Sequence, residues 1–235
     1  TSFGEVFRRA RKLATALHAA GVKQGDRVAT LAWNDYRHLE LYYAVSCMGA
    51  VLHTVNPRLF PEQLEFIINH AADKLLFIDP TLLPALAPLA GKLPTVEKTI
   101  VMTSAAAMPA AVAGTLPDYE SFIAGQADTF DWPALDERAA SSLCYTSGTT
   151  GNPKGVLYSH RSTMIHSMMM CSGPVLALDP LGATPGSRSR ETPFEIGQEL
   201  VAHDSEPIAN PWASASESAA GRRARRADNA FRRPR

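Results

Sequence analysis

Apolar residues recur at helical spacing from the start of the chain. Phe3, Val6, Phe7, Ala10, Leu13, Ala14 and Leu17 share one face, Ser2 and Glu5 have capping-box spacing before them, and Gly21 stands where a helix would stop. The pattern predicts a first helix whose Arg8, Arg9, Arg11 and Lys12 form a solvated basic face. Arg27 to Ala32 is a short apolar run and predicts a buried strand. Asp35 is placed to cap a second helix to Met48, with Leu39, Tyr42, Tyr43 and Val45 or Cys47 turned inward and Gly49 ending it. Further strands are expected at Val51 to Val55, Leu75 to Ile78 and Thr99 to Met102. Between them a helix starts at Pro61 and runs to His70, and Thr81 to Leu89 is helical with breaks at Pro84 and Pro88. Residues 103–117 form a surface excursion, and Asp118 to Ile123 a short helix. Ser142 to Tyr145 ends one strand and Gly155 to Tyr158 forms the next. Ser162 to Cys171 predicts a last helix whose Met164, Ile165 and Met168 to Met170 give a soft apolar surface, expected as core, with lining of part of an acyl pocket as the alternative. Strands alternating with helices at this spacing specify an α/β fold of βαβ units with a mostly parallel sheet.

Composition changes this picture little until the end of the chain. At 235 residues, 46% apolar and 20% charged with zero formal net charge, the chain has the make-up of a globular protein. It has no overall field drawing it to nucleic acid or acidic membranes. No apolar run reaches the roughly eighteen residues of a membrane span and no secretory signal is visible, so a cytoplasmic location is expected. Cys47, Cys144 and Cys171 have no paired spacing and are expected as buried, reduced thiols. His18, His38, His53, His70, His160, His166 and His203 share no metal-ligand spacing; His160 is expected to make a structural hydrogen bond at a strand end. The chain opens at Thr1, directly in a helix, which suggests that the protein's start lies upstream. Residues 183–235 hold nine arginines and no lysine, with seven of the arginines in 222–235. The expectation for 181–235 is a disordered tail, and out-of-frame translation of GC-rich sequence is one origin of such a composition.

Candidate chemistry concentrates in Tyr145-Thr-Ser-Gly-Thr-Thr-Gly-Asn-Pro-Lys-Gly155. Gly148, Gly151 and Gly155 allow sharp bends and close approach of backbone to a bulky anion. Thr146, Ser147, Thr149 and Thr150 supply hydroxyl donors, successive N–H groups can form an anion nest, and Lys154 adds a mobile positive charge. That set suits polyphosphate. It is not the Gly-x-x-x-x-Gly-Lys-Ser/Thr loop that leads into a helix, because Asn152 and Pro153 separate Gly151 from the lysine and a strand-like run follows.

The string resembles the phosphate-binding signature of the adenylate-forming (AMP-binding) superfamily, which includes acyl-CoA synthetases, luciferases and peptide-synthetase adenylation domains. Gly25 to Asn34, Arg37 to Glu40, Gly49 to Arg58, Asn69 to Lys74 and Ile78 to Pro80 look like medium- and long-chain fatty acid–CoA ligases. The resemblance covers residues 1–180, the expected partial AMP-binding domain. It implies ATP-dependent activation of a fatty carboxylic acid through an acyl-adenylate and transfer to CoA, in fatty acid metabolism. It also implies that Thr146, Ser147, Gly148, Thr149, Thr150 and Gly151 wrap the β- and γ-phosphates, with Lys154 at the loop's edge and Thr146 touching Mg²⁺. The partners implied are small molecules (fatty acid, ATP and CoA), with no nucleic acid and a possible homo-oligomer. The family's adenine-binding segment, acidic Mg²⁺ ligand, ribose-binding aspartate and catalytic C-terminal lysine have no counterpart after Pro180, so no catalytic residue is assigned and no turnover is expected of this chain alone. An aryl- or other acid–CoA ligase differs only in the acyl pocket, and a non-catalytic phosphate-binding or interaction module remains open.

Overall fold

The computed structural model describes residues 1–146 and 152–171. The tail read from the sequence at 181–235, and with it the boundary drawn after residue 180, lies outside the described residues. Among the described residues six strands form one sheet in the order β4-β3-β1-β2-β5-β6. They are β1 (Arg27–Leu31), β2 (Val51–Val55), β3 (Asp73–Ile78), β4 (Lys98–Val101), β5 (Ala140–Thr146) and β6 (Lys154–Ser159). All neighbours are parallel except β5 and β6, which form an antiparallel hairpin at one edge. This is the expected α/β fold with a mostly parallel sheet.

Alternation along the strands sorts side chains to two faces. Val28, Leu52, Leu75 and Phe77 face α1 (Phe3–Ala19), α2 (Tyr36–Cys47) and α5 (Tyr119–Ile123). Ala29, Leu31, Val55, Leu76 and Ile78 face α3 (Pro61–Ala71) and the segment from Leu82 to Leu89. That segment is a chain of short pieces, two 3-10 turns flanking α4 (Leu83–Leu86), because Pro80, Pro84 and Pro88 keep removing the N–H a longer helix needs. Ser2 caps α1 through the Glu5 amide, Asp35 caps α2 through His38, and Pro61 opens α3, as the sequence implied.

Several expected faces are corrected. Phe3 and Phe7 lie exposed at the start of α1, with the Phe7 ring against Tyr43 at 4.9 Å. On α2 the buried positions are His38, Glu40, Leu41, Ala44 and Val45, whereas Tyr42 is exposed and Leu39, Tyr43 and Cys47 are half-buried. The phase was misjudged because two polar residues occupy the inward face. Glu40 is inside because Arg9 Nε donates to its Oε1 at 2.6 Å and the Tyr119 hydroxyl donates to its Oε2 at 2.6 Å. Arg9 therefore leaves the expected solvated face. Its other nitrogens donate to Glu120 at 2.9 and 3.0 Å, and Arg37 Nε joins the same carboxylate at 3.0 Å. Desolvation pulls the Arg9 guanidinium down, but the bonds to Glu120 and Glu40 outweigh it and hold it charged. Burial pushes the Glu40 carboxyl up, against Arg9 and Tyr119.

The methionine surface is also corrected. In α6 (His160–Met170) no residue is buried, and Met164 and Met168 are 63% and 67% exposed. Cys171 is exposed, and Cys47 and Cys144 are half-buried rather than buried. No helix among the described residues is long and apolar enough to cross a membrane.

Candidate phosphate-binding hairpin

The predicted loop connects β5 to β6. Of the residues assigned to it, Thr146 and Lys154 fall within the described structure; Ser147, Gly148, Thr149, Thr150 and Gly151 lie outside the described residues. The hairpin register pairs Cys144 with Val156, Tyr145 with Gly155 and Thr146 with Lys154. Thr146 and Lys154 are thus brought side by side as the last pair before the loop. Both are exposed, and among the described residues the Thr146 hydroxyl donates to the Lys154 carbonyl at 3.5 Å. A neutral hydroxyl and an exposed lysine at the mouth of a hydroxyl-rich loop are the donor types that suit phosphate oxygens.

The hairpin extends past the parallel sheet. β5 pairs with β2 only at Leu52↔Ser142, His53↔Leu143 and Thr54↔Cys144. Tyr145 and Thr146 run on with β6 as their sole strand neighbour. The Tyr145 ring turns back over α3, where its hydroxyl lies 2.6 Å from His70 Nδ1. His53 stands 5.1 Å from the same ring, and its Nδ1 lies 2.6 Å from Asp73 Oδ2, with both side chains fully buried. Burial pushes the Asp73 carboxyl up, with His53 and then Arg27 opposing. Burial also pushes the Tyr145 phenol well above its usual range, and the neighbouring Asp73 adds to this. The phenol is therefore neutral and protonated.

Sequence reasoning did not find His53, His70, Asp73 or Tyr145 as a set. Spaced 17, 3 and 72 positions apart in sequence, they converge only through the parallel pairing of β2, β1 and β3 and the return along α3. The usable signal was a charge, Asp73, at the head of an otherwise apolar strand. The glycine reading is partly corrected too. Gly155 is strand residue, not bend, and a Cβ there would come within 3.2 Å of Tyr145 Cζ and 3.3 Å of Leu143 Cδ1. Its missing side chain is room for the tyrosine ring. His160 begins α6 directly after the last residue of β6, and its backbone N–H donates to the Ala139 carbonyl at 3.0 Å; among the described residues its buried Nε2 has no partner.

Among the described residues no group of three His, Cys, Asp or Glu side chains could enclose a metal ion. The Thr146 oxygen fits the single-ligand role that magnesium accepts when it arrives with waters and phosphate oxygens. An apolar cavity of about 770 Å³, lined by Leu83, Leu86, Pro94, Val96, Val112 and Leu116 among others, lies beside β4. That is the opposite edge of the sheet from the hairpin, and it carries no phosphate-binding chemistry.

Residues 1–186 match the family model described as AMP-binding enzyme. The chain is 56% identical over 167 residues to the 3-methylmercaptopropionyl-CoA ligase of Ruegeria pomeroyi, covering 71% of this chain and 31% of that protein. It is 55% identical over 169 residues to the medium-chain-fatty-acid–CoA ligase of Ectopseudomonas oleovorans, covering 70% and 30%. Among solved structures, the anthranilate-CoA ligase AuaEII aligns over 72% of this chain and 31% of its own with a TM-score of 0.67 at 24% identity, a likeness of fold. The chain thus spans less than a third of the length of these relatives.

Proposed function

Because the chain belongs to the AMP-binding enzyme family, we propose that its β5–β6 hairpin holds the polyphosphate of ATP in an acid–CoA ligase. The reaction is attack of a carboxylate oxygen on the α-phosphorus, which breaks the bond to pyrophosphate and gives an acyl-adenylate. The CoA thiol then attacks the acyl carbon and AMP leaves. Negative charge shifts onto the departing phosphates in the first step, so positioned donors and a cation lower its barrier. Thr146 with Ser147 to Gly151 supplies donors, and Lys154 supplies the charge. Magnesium, when bound, would neutralise part of the phosphate charge, and Thr146 would help to hold it.

The observation that carries this reading is the exposed Thr146–Lys154 pair at the mouth of the loop. An aliphatic acid is favoured as substrate because three relatives above 50% identity are named for aliphatic acyl groups. The 235 residues alone are expected not to turn over, since they match only 31% and 30% of the length of these relatives.

The test replaces the corresponding segment of the medium-chain ligase with residues 1–171 of this chain and measures pyrophosphate–ATP exchange with aliphatic and aromatic acids. Exchange driven by the aliphatic acid, and reduced about tenfold or more by Lys154→Ala, is the expected result. The factor is the worth of one charge-assisted hydrogen bond. A folded chimera without exchange would contradict it.

A further inference from the structure

This inference rests on the phosphate-hairpin reading and concerns what holds the ends of that loop. The last two residue pairs of the hairpin, Tyr145↔Gly155 and Thr146↔Lys154, lie beyond the point where β5 stops pairing with β2. Strand pairing alone would leave them as a two-stranded overhang, which is marginal in water. One side chain bridges the gap. The Tyr145 ring lies close over Gly155, where a Cβ would come within 3.2 Å of its Cζ, and its hydroxyl bonds His70 Nδ1 at 2.6 Å. The His70 ring is itself stacked on Phe66 at 5.3 Å, within the same helix. Behind the tyrosine, the fully buried His53–Asp73 pair joins β2 to β3 across β1 and gives the ring a rigid polar backing.

We infer that Tyr145 is a positioning residue, tying Thr146 and Lys154 to α3 and the sheet core through His70 so that the loop's ends are set before nucleotide arrives. A buried phenol would need a hydrogen-bond partner anywhere. What distinguishes this one is its place, where it links the overhang to α3. Gly155 follows from the same requirement.

Amide hydrogen exchange on the 235-residue chain without nucleotide tests the anchor. Four proteins are compared: wild type, Tyr145→Phe, His70→Leu and His70→Asn, which returns a polar atom near the site of Nδ1. The amides of Thr146 and of Lys154 to Val156 should exchange about fivefold faster in Tyr145→Phe and His70→Leu. That factor corresponds to loss of one hydrogen bond of ordinary net strength. β1 and β3 should be unchanged, and His70→Asn should recover most of the protection. MgATP should bind the first two variants several-fold more weakly. Unchanged exchange at 146 and 154–156 would overturn the inference, as would an equal rise throughout the sheet, which would mark general destabilisation. Since exchange is read without ligand, its failure is distinct from failure of wild-type nucleotide binding, which would count against the phosphate reading instead.

Discussion

Single residues here do work that their polarity conceals. Arg9 and Glu40 are polar, yet they join α1, α2 and α5 through a shared ion pair, with Tyr119 and Glu120 completing it. Glu40→Ala would leave Arg9 and the Tyr119 hydroxyl without their buried acceptor, and a loss of about 3 kcal/mol is expected by urea unfolding. Ala72 shows the reverse case, a small residue under backbone strain. It ends α3 in the left-handed region at φ 51° and ψ 51°. Arg27 holds it there by donating to the carbonyls of Ala71, Ala72 and Gly25. Ala72→Gly relieves the clash of Cβ with the backbone and should raise stability by up to about 1 kcal/mol, seen as a Tm higher by a few degrees. Neither feature was legible in the sequence. A hydrophobicity pattern counts Arg9 and Glu40 as solvent-facing, and nothing local marks Ala72 as left-handed.

Elements were far more legible, because periodicity, caps and prolines are local signals. Val51–Val55 was bounded correctly from sequence, and Asp35, Pro61 and Asp118 each mark a helix start that the structure keeps. What failed was the phase of α2 and the fate of α6, both of which depend on neighbours distant in sequence. The inward face of α2 has a pH consequence. His38 is buried, with Nε2 3.1 Å from the Thr30 hydroxyl and Nδ1 unpartnered. Burial pushes its imidazole below the ordinary value, with Asp35 opposing. A lowered folded value means that the unfolded chain binds the proton first. The stability His38 contributes is thus complete above the usual imidazole pKa of about 6.5 and is lost as pH falls through the folded value. His160, also lowered by burial, acts in the same direction. Asp73 and Glu40 act oppositely: with raised values, their contribution is complete below the usual carboxylate range and lost as pH rises through the folded value. The clean measurement is therefore a difference. Between pH 7.5 and pH 5.5, chosen to bracket the imidazole range at about one unit each side, urea midpoints should fall more for wild type than for His38→Gln. Parallel pH profiles would refute the assignment.

At the scale of the molecule, a doubly covered sheet carries its candidate chemistry at one edge. β4 and the large apolar cavity lie at the other edge, so cavity size alone would have pointed away from the hairpin. The motif from Tyr145 to Gly155 was visible in the sequence because glycine, hydroxyl and lysine positions are contiguous there. Its anchorage was not, since His53, His70 and Asp73 meet Tyr145 only after β1, β2 and β3 pair. The central claim is that this hairpin, and not the arginine-rich segment at 222–235, binds polyphosphate. The most direct measurement is calorimetric titration of the chain with MgATP, repeated for Lys154→Ala and for a form lacking residues 183–235. Saturable binding that survives the deletion and weakens about tenfold or more in Lys154→Ala is the predicted result. Binding indifferent to Lys154 and abolished by the deletion would contradict it.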